Sequence, residues 1–265
     1  MKKDNSIFGE SRIRCGMTAS TAFLLILFLF AGCAKKQYVI KSANGYLVEM
    51  NNRFDSVIDP EMSSLVQKYK SKLNLEMNEV IGEAPQTLTK TGTQSVLANF
   101  TADAMQEYAT GLWGAVDFAV INNGGLRTTL NQGNITVGDV YEIYPFENRL
   151  VLLELSGKAV KQLFESFIKY KMEGFSKNVQ LILKDKSIES LTIGGKPLDE
   201  KATYRAVTVD YLAEGNSGME AFTQATHYTD SNIILHDAMI EYIKKLTAEN
   251  KKIYATPDDR IEIKK

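Results

Sequence analysis

Phe118-Ala119-Val120-Ile121-Asn122-Asn123-Gly124-Gly125-Leu126-Arg127 is the stretch on which the fold turns. Four consecutive apolar residues bounded by a turn signal describe a strand buried on both faces. That strand delivers two glycines and an arginine to a loop. Glycines let the backbone bend and present N–H groups to a ligand. The planar fork of Arg127 can bond the oxygen atoms of a sugar or phosphate. Taken alone, paired glycines at a strand end read as a turn.

Upstream, Ser95 to Ala109 predicts a helix with an apolar stripe of Leu97, Phe100, Ala104, Met105 and Tyr108. Asp59-Pro60-Glu61 opens an earlier helix, since proline suits a first turn and acidic residues suit its positive end. Leu65, Val66, Tyr69 and Leu73 fall on one face of it. Downstream, residues 150–155 read as a strand. Ser156-Gly157 turns into a helix bearing Val160, Leu163, Phe164, Phe167 and Ile168. Residues 179–183, 188–193 and 204–209 read as strands, with Gly194-Gly195 as a turn. Residues 236–249 read as a helix and 260–263 as a closing strand. Strands and helices mix without regular alternation, which predicts an α+β fold built on a mixed sheet with packed helices.

Two further segments place an aromatic ring beside a strand end. They are Tyr144-Pro145-Phe146 and Val209-Asp210-Tyr211-Leu212-Ala213-Glu214-Gly215-Asn216-Ser217-Gly218. A facing pair of rings can clamp a flat base, because every base has a π-face. The plainer reading of a single aromatic is a core residue.

The chain has 265 residues, of which 44% are apolar and 24% charged, with a net charge of -1. This is ordinary globular composition, and it gives no electrostatic footprint for a nucleic acid polymer. The first 33 residues read as a targeting segment. Lys2, Lys3, Arg12 and Arg14 precede an apolar run over residues 20–31 that is shorter than the roughly 20 residues that span a bilayer. Phe30-Ala31-Gly32-Cys33 closes it and resembles a bacterial lipoprotein box with Cys33 as the lipidated residue, although Phe30 stands where leucine is usual. An uncleaved N-terminal anchor helix is the plainer alternative. The expected organisation is a lipoprotein signal peptide over 1–33, a tether over 34–58 and one domain over 59–265, with 59–87 as its linker helix region. The expected place is the bacterial cell envelope, exported and lipid-anchored. No cysteine follows Cys33, so the domain has no disulfide or thiolate metal site.

Together the three loop segments resemble the C-terminal domain of the 5'-nucleotidase family, which includes periplasmic UDP-sugar hydrolases and surface ecto-5'-nucleotidases. Family members carry Asn-Gly-Gly-x-Arg, then Pro-Phe, then an aromatic followed by Leu-Ala-x-Gly-Gly-Asp-Gly-Phe. The likeness extends to Leu97-Ala98-Asn99-Phe100-Thr101-Ala102-Asp103-Ala104 and to Asp259-Arg260-Ile261. It implies base stacking by Phe146 and Tyr211, a base contact from Asn122, a ribose and phosphate contact from Arg127, and a loop built on Gly124 and Gly125. Ser217 stands where the family has a ribose-binding aspartate. The family's arginine upstream of the Asn99 helix has no counterpart in Lys90-Thr91-Gly92-Thr93-Gln94.

In the family, hydrolysis belongs to a separate N-terminal domain holding two divalent metals. This chain has only His227 and His236, neither in a metal-ligand context, so no catalytic, metal or cofactor site is expected in it. The implied function is the nucleoside- or nucleotide-binding half of a hydrolase, inactive alone and completed by a separate metallophosphatase chain carrying the metals. A non-enzymatic nucleoside-binding lipoprotein and a structural module with a decayed pocket are the competing readings.

Overall fold

The computed structural model describes residues 40–47, 59–92, 94–170 and 172–264. The signal segment, Cys33 and most of the tether lie outside these residues. Residues 40–47 are exposed and carry no helix or strand. Asp59–Lys265 is one compact unit. Among the described residues no helix is long and apolar enough to cross a membrane.

The unit opens with helix α1 (Pro60–Met77), capped by Asp59, whose carboxylate accepts from the N–H groups of Glu61 and Met62 at 3.0 Å each. Strand β1 (Val80–Ala84) and helix α2 (Val96–Trp113) follow, then strands β2 (Phe118–Ile121) and β3 (Gly133–Thr136). Helix α3 (Val137–Ile143) starts on a Thr136/Asp139 capping box. Next come β4 (Arg149–Ser156), α4 (Gly157–Lys169), β5 (Gly174–Phe175), β6 (Val179–Lys184), β7 (Ser187–Ile193), β8 (Lys196–Pro197) and β9 (Thr203–Val209). The short helix α5 (Asp210–Ala213), β10 (His227–Ile234), α6 (Leu235–Ala248) and β11 (Ile261–Lys264) complete it.

The central sheet has the order β10-β4-β9-β2-β5. β9 runs parallel to β2 and antiparallel to β4, so the sheet is mixed as expected. β11-β6-β7-β8 form a second sheet, and β1-β3 a two-stranded one. The predicted α2 stripe is largely in the core: Leu97, Phe100, Ala104 and Met105 are buried, and Tyr108 is partly so. Along α4, Val160, Leu163, Phe164 and Phe167 are buried, and Phe164 meets Phe118 on β2 and Phe175 on β5 at ring distances of 5.9 and 5.3 Å. Each such ring contributes about 1.5–3 kcal/mol by burial, and the cluster fixes the strand that leads into Asn122.

Three elements depart from the sequence reading. Helix α1 forms, yet none of its residues is buried, and Leu65, Val66, Tyr69 and Leu73 are all exposed. Thr229-Asp230-Ser231-Asn232, which by composition reads as a loop or cap, is part of β10, which pairs with β4 despite its polar residues because it lies at the sheet edge. Ile81-Gly82, which with Pro85 reads as the end of the first helical region, sits in β1, where Gly82 pairs with Ile135 of β3 and the register shifts at Ile81.

Candidate functional site

At one edge of the central sheet, β2 and β9 end and β4 begins. The loops leaving that edge enclose a cleft of about 360 Å³, lined by Asn122, Gly124, Gly125, Arg127, Phe146, Asn148, Tyr211 and Ser217. That volume falls in the range of about 300–1,000 Å³ usual for small-molecule sites. The fold therefore brings together all seven cleft residues that the sequence singled out and adds Asn148.

Phe146 and Tyr211 are not core residues. They are 45% and 44% exposed. Two large rings left half open to solvent on one cleft are surfaces available for stacking. Phe146 stands two residues beyond Tyr144, whose buried hydroxyl shares a 2.7 Å hydrogen bond with Thr101. Burial pushes the Tyr144 phenol up, so it stays neutral and serves as an anchor. The Tyr144 carbonyl meets Nδ1 of His236 at 3.3 Å, and the His236 ring lies 4.4 Å from that of Tyr141. His236 is thus a buried support for the segment that carries Phe146. His227 lies exposed on β10, 3.0 Å from Glu154.

The glycine loop is a single 3-10 turn over Asn123–Gly125. Its N–H groups are less available than the sequence suggested, because that of Gly125 donates to the Asn122 carbonyl at 3.0 Å. The physical reason for glycine is space: a Cβ at Gly125 would lie 2.8 Å from Oδ1 of Asn122. The back of the loop is pinned by Glu173, which accepts from the Asn123 N–H at 2.5 Å, and by the Met172 carbonyl, which accepts from Asn123 Nδ2 at 3.1 Å.

Arg127 projects into the open. Its guanidinium carbon stands 5.8 Å from the centre of the Phe146 ring, within cation–π range, and one N–H donates to the Gly124 carbonyl at 3.4 Å. Lys90, the nearest cation in the sequence, does not face the cleft. Its Nζ donates to the carbonyls of Leu126 and Arg127 at 2.7 and 3.5 Å and braces the loop from behind. Asn122 donates through Nδ2 to the Ser217 hydroxyl at 3.1 Å. Ser217 sits at φ 59, and its loop is closed by Asn216, which donates to the Tyr211 carbonyl at 2.8 Å.

Asn148 was not singled out by sequence. Its carbonyl accepts from the Leu235 N–H at 2.8 Å, and among the described residues its side-chain amide has no hydrogen-bond partner. It is therefore the amide in the cleft whose donors and acceptor are uncommitted. Among the described residues no group of three or more His, Cys, Asp or Glu could hold a metal ion.

The 5'-nucleotidase, C-terminal domain family matches residues 80–224, more than half of the chain. The chain belongs to this family. It is similar to Protein UshA of Yersinia enterocolitica, with 30% identity over 196 residues, covering 71% of this chain and 35% of that protein. It is also similar to the trifunctional nucleotide phosphoesterase protein YfkN of Bacillus subtilis, with 29% identity over 212 residues, covering 71% of this chain and 14% of that protein. The 5'-nucleotidase precursor of Thermus thermophilus superposes with a TM-score of 0.66 at 25% identity, over 76% of this chain and 42% of that one. The chain thus spans less than half the length of each of these relatives. Outside the cleft and beyond the matched residues, the buried Arg260 is a structural tie. It clamps Asp103 of α2 at 2.9 Å and Asp258 at 2.6 Å, and donates to the Phe175 carbonyl at 2.6 Å. It therefore joins the chain's end to the helix whose motif the family shares.

Proposed function

We propose that the cleft binds a nucleoside or nucleotide, with the base held at Phe146 and Tyr211 and the sugar side toward Arg127, Asn122 and Ser217. The chain then supplies the substrate-binding half of a 5'-nucleotidase-type hydrolase, and a separate metallophosphatase chain would hold the two metals that activate water for attack on the phosphorus. The carrying observation is the pair of half-exposed rings on one cleft beside the Asn148 amide, which has no partner among the described residues. Relatives named as a nucleotide phosphoesterase and a 5'-nucleotidase precursor support the ligand class. An exported, lipid-anchored place in the envelope at Cys33 is part of the proposal. It is supported by the signal-like first 33 residues and by a relative from Listeria monocytogenes named Cell wall protein Lmo0130.

One observation favours a second reading, a binding lipoprotein that captures nucleosides without a hydrolase. Ser217 brings no charge, and Lys90 is spent on loop carbonyls, so Arg127 is the one cation among the cleft-lining residues. The test is calorimetric titration of the full chain in mild detergent with adenosine and AMP. Saturable binding that Tyr211→Ala weakens by about 5- to 150-fold, the usual worth of one stacked base, is the expected result. AMP bound more tightly than adenosine favours the split hydrolase, and equal binding favours capture. No heat with either compound removes both readings for these ligands.

A further inference from the structure

The two rings sit on segments that leave the sheet from adjacent positions. The β4–β9 ladder ends with Leu150 opposite Val209. The next residues outward are Arg149 and Asp210. Phe146 lies three residues before Arg149, and Tyr211 directly follows Asp210. The spacing of the rings is therefore set at this junction.

The Asp210 carboxylate closes it. One oxygen accepts from the backbone N–H groups of Arg149 at 3.2 Å and Tyr211 at 2.8 Å. The other accepts from Arg149 Nε at 3.1 Å. Arg149 Nη1 reaches on to Asp230 of β10 at 3.0 Å. The Asp210 side chain thus ties both ring-bearing segments together, and Arg149 joins them to the edge strand. Several bonds converging on one carboxylate restrict its geometry, and a fixed geometry lowers the ordering cost of binding.

We infer that Asp210 is a positioning residue for the base clamp: it fixes Tyr211 relative to Phe146, and Arg149 and Asp230 hold its carboxylate in place. This rests on the reading of the cleft as a nucleoside site. Asp210 touches no ligand in this account; it acts through Tyr211.

The test compares the full-length wild type with Asp210→Ala and Asp210→Asn by titration with adenosine and AMP, amide hydrogen exchange and thermal denaturation. Asp210→Ala is expected to lose about tenfold in adenosine affinity. The same variant speeds exchange at Tyr211 and Arg149 selectively, with the melting temperature nearly kept. Asp210→Asn keeps an oxygen for the two backbone donors but sets an amide N–H against Arg149 Nε, so it recovers part of the affinity. A merely structural role would instead speed exchange along the whole of β4 and β9 and lower the melting temperature in step with affinity. That pattern, or unchanged affinity in Asp210→Ala beside a wild type that binds, overturns the inference and leaves the nucleoside reading intact. A wild type that binds neither adenosine nor AMP overturns the nucleoside reading and the positioning role with it.

Discussion

Replacing Arg260 with methionine should remove more stability than any change in the cleft. The guanidinium is 3% exposed and faces two carboxylates, Asp103 and Asp258, whose side chains are 24% and 34% exposed. Burial pushes the Asp258 carboxyl up, and the hydrogen bond and charge of Arg260 more than offset this, so it sits below its ordinary value. Methionine keeps much of the volume and deletes the charge. Breaking a buried pair by removing one partner costs about 3–5 kcal/mol. Water reaches both carboxylates, so the low end, about 3 kcal/mol, is the reasoned figure. A domain of this size loses about 2–4 °C per kcal/mol, which gives a fall of about 6–12 °C in thermal denaturation at pH 7. The pH dependence has a definite sign. In the wild type the depressed Asp258 contributes stability that is present above its unfolded value and lost as pH falls through its folded one. In the variant Asp258 loses the guanidinium that lowers it, and protonation relieves its uncompensated charge. The gap between the proteins should therefore narrow between about pH 5 and pH 3, in the carboxylate range. A variant that melts within about 2 °C of the wild type at pH 7, or a gap unchanged at the acid end, would refute the reasoning.

Two other changes probe the scaffold. At Gly157 an added Cβ would lie 2.0 Å from the Asp199 carbonyl oxygen, a backbone atom that cannot swing away. Gly157→Ala should cost about 2–3 kcal/mol in urea unfolding, and a midpoint equal to wild type would show that the 199–202 turn yields freely. Lys90→Met removes the ammonium from the Leu126 and Arg127 carbonyls. It should speed amide exchange at residues 124–127 and lower adenosine affinity a few-fold, while exchange in α2 stays as it was; a loop that exchanges at the wild-type rate would assign Lys90 no bracing role.

Much of this architecture is legible from sequence because its signals are local. A four-residue apolar run predicts β2 at the bounds observed, and Asp59-Pro60 and Ser95 announce two helix starts by side-chain capping. The seven cleft residues are legible for a different reason, namely an ordered set of motifs shared with a family. Asn148 is not, since an asparagine in a short loop carries no periodic signal and its uncommitted amide is defined only by what surrounds it. Asp210 and Arg149 escape for a related reason. Their bond depends on β4 and β9 being neighbours, which no local window states. Strand β10 is hidden because Thr229, Asp230, Ser231 and Asn232 have turn-like composition, and the chain tolerates it only at an edge.

That edge has its own consequence. An outer strand offers a row of unpaired backbone groups on which another chain can grow. β10 interrupts the row: the register slips between Asp230 and Ile234, Asn232 turns left-handed at φ 57, and the Ser231 hydroxyl folds back onto the Leu150 carbonyl at 2.8 Å. The opposite edge, β5, is only two residues long. Among the described residues neither border of this sheet presents a long flat template, so its own geometry opposes edge-to-edge growth with another copy.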